Sequence, residues 1–134
     1  MDSLSGQQLL RKDETVVEAD SILAEKKVLA FYFSAHWCPP CRLFTPVLAE
    51  FYSVMIVISL WPKILQQWLF LQDLVGIGEE FEVVFVSSDK TAEDQMAYMK
   101  ESHGDWVAVQ HNTVLSTQLK KVLEGRFNKT FPKV

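Results

Sequence analysis

Cysteine is scarce in this chain. Its 134 residues hold two, Cys38 and Cys41. A bridge between positions so close restrains the unfolded chain hardly at all, so its use must lie in being opened and closed rather than in stapling a fold. Histidine is scarce too. Beyond the two thiols only His36, His103 and His111 could ligate a metal, and they offer no second ligand pair at metal spacing, which argues against a structural zinc site. An excess of positive charge is also missing: 13 Lys and Arg stand against 17 Asp and Glu, giving a formal net charge of -4 and a pI near 5.3. The cations are dispersed, which excludes the basic footprint that nucleic-acid binding needs. Met1 to Glu14 contains neither a basic stretch leading into an apolar core nor a cleavage site. A reducing, cytoplasmic address follows as the expectation, with the nucleus open to a body this small. A membrane span would need about 20 apolar residues in a row. The most apolar stretch, 54–78, is divided by Pro62, Lys63 and the Gln66-Gln67 pair. Internal repeats and low-complexity tracts are absent as well.

What is present centres on residues 31–44, Phe-Tyr-Phe-Ser-Ala-His-Trp-Cys-Pro-Pro-Cys-Arg-Leu-Phe. The apolar run from Lys27 to Phe33 reads as a buried strand, and it feeds directly into Cys-x-x-Cys. Leu43, Phe44, Val47, Leu48, Phe51 and Tyr52 then follow at helical spacing. A thiolate is the attacking species in disulfide exchange, and the positive end of a helix stabilises it. Cys38 at the helix start is therefore the candidate nucleophile. Cys41, one turn inside, can reach back to resolve a mixed disulfide, and its position predicts that it is the less exposed of the two. Pro39 and Pro40 suit a first helical turn, because a missing N–H matters little there and their fixed φ is already helical. Trp37 can cover one side of the sulfur and offer its indole N–H to a partner chain, or serve simply as a rim aromatic.

The rest of the chain alternates strand and helix. Residues 2–14 carry Leu9 and Leu10 as a lone apolar pair, which predicts a small edge strand or loop. Thr15 to Lys26, with Val16, Val17, Ala19, Ile22, Leu23 and Ala24, predicts a short helix. The strand from Lys27 to Ser34 is predicted to be central and covered on both faces, as in a parallel sheet. The 54–78 stretch predicts a second helix from Pro62, ended by Gly76 or Gly78. Its alternative is an exposed apolar surface that recruits a partner or a membrane interface. Phe81 to Ser87 predicts a second central strand, after which Ser88-Asp89 caps a helix over Thr91 to Ser102 that turns Met96, Ala97 and Met99 inward and stops at Gly104. Asp105 to Val109 is a short apolar segment. Val114, Leu115, Leu119, Val122 and Leu123 predict a last helix, stopped by Gly125. For the histidines the expectation is a loop setting for His36 and His111. His103 is expected at a helix C-terminus, where partial positive charge suits the dipole.

Trp37-Cys38-Pro39-Pro40-Cys41-Arg42 after one buried strand and Phe85-Val-Ser-Ser-Asp89 at the end of another resemble the thioredoxin-like superfamily, in its nucleoredoxin and tryparedoxin branch. Thr15 to Ala19 and His103-Gly-Asp-Trp106 are similar to the nucleoredoxin-like proteins of that branch. The resemblance covers Thr15 to Tyr52 and Phe81 to Pro132. It implies one α/β domain over residues 1–134, with a central, mostly parallel sheet between flanking helices. It also implies that 54–78 is an insert and that the family's last strand pair and helix lie beyond Pro132. Pro132 falls where the family has a cis-proline facing the disulfide. Tyr32 stands where ordinary thioredoxins have a buried acid, and a neutral phenol is a poor base at pH 7. Water or another group, with His36 as a candidate, must then take the Cys41 proton.

Three functions compete on these residues. The first is a protein-disulfide reductase, working without a bound cofactor, in which Cys38 attacks a protein disulfide and Cys41 releases the product. A thiol reductant of the thioredoxin reductase or glutathione type then restores the dithiol. The second is a redox-sensing or trophic signalling and binding module with little turnover, with 54–78 as a partner contact. The third, a zinc site, is the weakest for want of ligands.

Overall fold

The computed structural model describes residues 4–24, 26, 28–59 and 81–130. Five strands and four helices alternate along them: β1 (Gln8–Arg11), β2 (Val16–Glu18), α1 (Ala19–Leu23), β3 (Val28–Ser34), α2 (Pro39–Ser59), β4 (Phe81–Ser87), α3 (Ala92–Ser102), β5 (Val107–Val109) and α4 (Val114–Thr130). The strands form one sheet in the order β2-β1-β5-β4-β3. β3 pairs with β4, and β4 with β5, in parallel, while β1 runs antiparallel to both β2 and β5. The described sheet is thus evenly mixed rather than mostly parallel, because an N-terminal hairpin has joined it.

Strand pleating explains the apolar runs. Successive side chains of a strand point to opposite faces, and β4 is buried along Glu82 to Ser87 because both faces are covered. Val84 and Val86 pack with Leu9, Leu23, Val107, Leu115 and Leu119 on one side. Val83 and Phe85 pack with Tyr52, Tyr98, Met99 and Trp106 on the other, beneath α2 and α3. The same alternation corrects the expectation for Leu9 and Leu10. β1 is an interior strand, and its two leucines serve opposite cores. Val16 and Val17 belong to β2 and not to a helix, which shrinks to α1. β3 closes one end of the described sheet instead of lying at its centre, so Phe31 remains exposed.

Helix ends also differ from expectation. The N-cap of α3 is Thr91, whose hydroxyl accepts from the Asp94 amide, with Glu93 and Asp94 in the first turn and Lys100 in the last. Ser88-Asp89 is therefore free for another task. On α3 the buried residues are Gln95, Tyr98 and Met99, with Met96 half-buried and Ala97 exposed. Gly104 follows the helix for reasons of packing: a Cβ there would meet the Trp106 ring at 2.6 Å. α4 continues through Gly125, since one glycine costs a helix only about 1 kcal/mol, and Val114 and Val122 lie on its exposed side. Residues 54–59 prolong α2, where Met55 is buried and Val54 exposed. The helix expected from Pro62 lies outside the described residues.

Candidate active site

β3 ends at Ser34, four residues turn, and α2 begins at Pro39. The amide of Cys38 donates to the Ala35 carbonyl at 3.2 Å, and the Cys38 carbonyl accepts the first helical bond, from Arg42 at 3.0 Å. Cys38 is thus the N-cap residue of α2. Its sulfur lies at disulfide distance from that of Cys41, with the two Cα atoms 5.3 Å apart. Both cysteines are half-buried. Pro39 and Pro40 are exposed and fill the first two helical positions. Because neither has an N–H, the free amide of the first turn that remains for a Cys38 thiolate is that of Cys41.

The turn is pinned to the loop after β4. Trp37 is 64% exposed, yet its indole N–H donates to the Ser88 carbonyl at 3.0 Å, so it braces the protein's own loop rather than waiting for a partner. The Ser88 amide donates to the Ser34 carbonyl at 2.9 Å. Asp89 is the centre of this seam. Its buried carboxylate accepts the His36 amide at 2.8 Å and the Ser87 hydroxyl at 2.7 Å, and its carbonyl lies 2.8 Å from His111 Nε2. Sequence reasoning assigned Asp89 to a helix cap and missed this role. The signal open to it was an acid two residues beyond a strand whose Val83 to Val86 are all apolar.

His36 Nε2 lies 2.7 Å from Glu101 on α3, and its ring stacks 5.3 Å from that of Tyr98. Its expected part in moving the Cys41 proton finds no bond to a sulfur here; Glu101 engages it instead. Trp37, His36, Arg42, Asp89, Lys90 and Asp94 line a cleft of about 610 Å³ beside the dithiol. Tyr32 is turned beneath α2, with its hydroxyl 2.6 Å from that of Thr45. Pro132 lies outside the described residues.

A family model described as thioredoxin-like matches residues 25–133. The chain belongs to the thioredoxin-like family. Mouse nucleoredoxin is 36% identical over 101 residues, which is 75% of this chain and 18% of that protein. Tryparedoxin of Trypanosoma brucei brucei is 55% identical over 42 residues, covering 31% of this chain and 29% of its own. Among solved structures, thioredoxin from Wuchereria bancrofti superposes with a TM-score of 0.68 at 42% identity, over 90% of this chain and 69% of that one. The chain therefore spans less than a fifth of mouse nucleoredoxin and about two thirds of the Wuchereria thioredoxin.

Two buried groups in this thioredoxin-like protein were misjudged or missed from sequence. His103 follows α3, but burial holds its pKa down to about 3, with Lys12 adding to the effect, so the ring is neutral and lends no charge to the helix end. Its Nδ1 accepts the Trp106 indole N–H at 3.0 Å, which leaves the proton on Nε2. That nitrogen finds no partner among the described residues. The rings of Phe85 and Tyr98 flank the imidazole edge-on, with centroids 4.3 and 4.4 Å from its own. Glu82 is the second residue of β4, at the end remote from the cysteines; burial raises its pKa, and Tyr52 donates to it at 2.9 Å.

Proposed function

We propose that this chain is a thiol–disulfide oxidoreductase of the protein-disulfide reductase type. Cys38 attacks a substrate disulfide, Cys41 resolves the mixed disulfide, and an upstream thiol reductant of the thioredoxin reductase or glutathione type restores the dithiol. The observation that carries this reading is the pairing of the two sulfurs at the head of α2, with Cys38 as its N-cap residue. The cleft beside them, with Arg42 and Lys90 on its rim, offers a route for a substrate strand. The chemistry needs no bound cofactor, since the electrons pass through the two sulfurs. The setting proposed for it is the cytoplasm or nucleus, where thiols are kept reduced.

The test is reduction of a protein disulfide by the purified chain with either electron source. Cys38→Ser should abolish it, and Cys41→Ser should trap a mixed disulfide. Unchanged reduction by Cys38→Ser, or none by the wild type, overturns the proposal. One feature favours a second reading, a binding module that uses the thiols as a sensor: α2 exposes Leu43, Phe44, Val47 and Phe51 beside the dithiol. That reading predicts redox-dependent association without turnover.

A further inference from the structure

Four hydroxyl groups converge beneath the first turns of α2. Tyr32 and Ser34 come from β3, Thr45 from α2 and Tyr98 from α3. The Thr45 hydroxyl lies 2.6 Å from that of Tyr32 and 2.5 Å from that of Tyr98. Ser34 Oγ in turn lies 2.7 Å from the Tyr98 oxygen. Thr45 also reaches the carbonyl oxygen of its own helix one turn back, that of Cys41, at 2.8 Å. Thr45, Tyr98 and Ser34 are all buried.

Counting protons fixes the direction of every bond. A carbonyl oxygen only accepts, so the single hydroxyl proton of Thr45 goes to Cys41. Thr45 must then accept from both Tyr32 and Tyr98, using its two lone pairs. Tyr98 has given its proton to Thr45, so Ser34 donates to Tyr98. Donation therefore runs from Ser34 through Tyr98 and Thr45 to Cys41, with Tyr32 as a second donor to Thr45. Each bond polarises the next.

The terminal acceptor is replaceable. A helical carbonyl already takes the amide four residues on, so the Thr45 hydroxyl is a second donor to Cys41 O and can leave without orphaning it. The Cys41 side chain shares a helix face with Thr45, at i and i+4. We propose that, once the disulfide opens, Thr45 turns its O–H from the Cys41 carbonyl to the Cys41 sulfur and stabilises the thiolate that resolves the mixed disulfide. The oxygen stays where the two tyrosines hold it, and Tyr32, Tyr98 and Ser34 are positioning residues. The step balances without a buried acid. Cys41 loses its proton and attacks Cys38 Sγ, the bond from Cys38 to the substrate sulfur breaks, and the departing thiolate keeps the electron pair and takes up a proton. The hydroxyls keep their own.

The inference rests on Cys41 being the resolving thiol. The titratable groups facing the cluster are Tyr32 and Tyr98 themselves, neutral His103 at 4.4 Å from the Tyr98 ring, and His36 with its Glu101 partner on the loop side. Burial raises the Tyr98 pKa, which keeps it a donor.

The test uses a small aromatic disulfide that releases one coloured thiolate as Cys38 is modified and a second as Cys41 resolves it. Thr45→Val and Tyr98→Phe should leave the first release unchanged. Thr45→Val should slow the second about ten-fold at neutral pH and move its pH profile up by about one unit, the effect of losing one hydrogen bond to a charged sulfur, and Tyr98→Phe, which only loosens the Thr45 oxygen, should act in the same direction by less. Thr45→Ser, which keeps the hydroxyl, should restore both. A wild-type rate and profile in Thr45→Val overturns the proposal, as does a Thr45→Ser variant as slow as the valine. If the wild type releases both thiolates yet reduces no protein disulfide, the reductase reading fails while the role of Thr45 stands. If it releases only the first, Cys41 is not the resolving thiol and both fail.

Discussion

Asp89 should matter out of proportion to its distance in sequence from the cysteines. The residue is 6% exposed, and its carboxylate accepts two hydrogen bonds, one from the His36 amide in the turn before Cys38 and one from Ser87 at the end of β4. Bonds to a charged acceptor contribute about 1.5–3 kcal/mol each, and leaving a buried amide unpaired costs about 1–3 kcal/mol. Asp89→Ala removes both bonds and orphans the His36 N–H, but it also relieves the desolvation of a buried charge, so the net loss of stability is about 2–4 kcal/mol. Asp89→Asn keeps an oxygen for His36 and should lose no more than about 1 kcal/mol, the worth of an ordinary neutral hydrogen bond. Urea denaturation of the oxidised forms measures both. The alanine variant should also loosen the turn, and the sensitive monitor is Trp37, which is tied to the adjoining Ser88 carbonyl; its fluorescence should shift in Asp89→Ala and hardly at all in Asp89→Asn. An alanine variant within about 0.5 kcal/mol of wild type, the range of an ordinary surface substitution, would refute the claim that this carboxylate holds the turn.

Two further outcomes follow from the core. Gly104→Ala drives a methyl to 2.6 Å from the Trp106 ring, and overpacking of this kind should lower stability by about 1–3 kcal/mol in the same denaturation assay; an unchanged midpoint would mean that the ring moves aside freely. His103 is a base whose folded pKa, held down to about 3 by burial, lies below the ordinary value of 6.5. The unfolded chain therefore takes up its proton first, so stability is full above pH 6.5 and falls as pH drops toward 3, by at most about 1.4 kcal/mol per unit. Glu82, whose folded pKa is raised, acts in the opposite sense near the acid end of that window. The measurement is consequently the difference in slope between wild type and His103→Phe from pH 7 to 4.5, and equal slopes would show that His103 is not buried neutral.

What the sequence made legible was whatever one residue's own periodicity or chemistry determines. Val83 to Val86 in β4 are an unbroken apolar run because helices cover both faces of that strand, and the runs at β3 and α2 announced the strand and helix that carry the dithiol. Boundaries and neighbours were less legible. Val16 and Val17 fit a helical face as well as a strand, and their pairing with Leu10 and Leu9 is decided by a turn through Glu14, held at φ 72, that no apolar pattern encodes. The place of β1 between β2 and β5 is equally a matter of pairing at long range.

The candidate site divides along the same line. The two sulfurs, Trp37 and the helix start are contiguous, so they could be found by reading along the chain. The groups that hold them were not, because Asp89, Tyr98 and Thr45 are each unremarkable in their own segments and gain a role only where β3, β4 and α3 converge on α2. Even the local inference needed amendment: two prolines remove two of the amides that a helix start would offer a thiolate. With those donors gone, stabilisation of the sulfurs falls to the Cys41 amide, the dipole of α2 and whatever hydroxyls lie beneath. Tyr32 is therefore poorly described as a missing acid. It is one of two phenols that fix the oxygen of Thr45, and a neutral donor held in place can stabilise a thiolate without taking its proton.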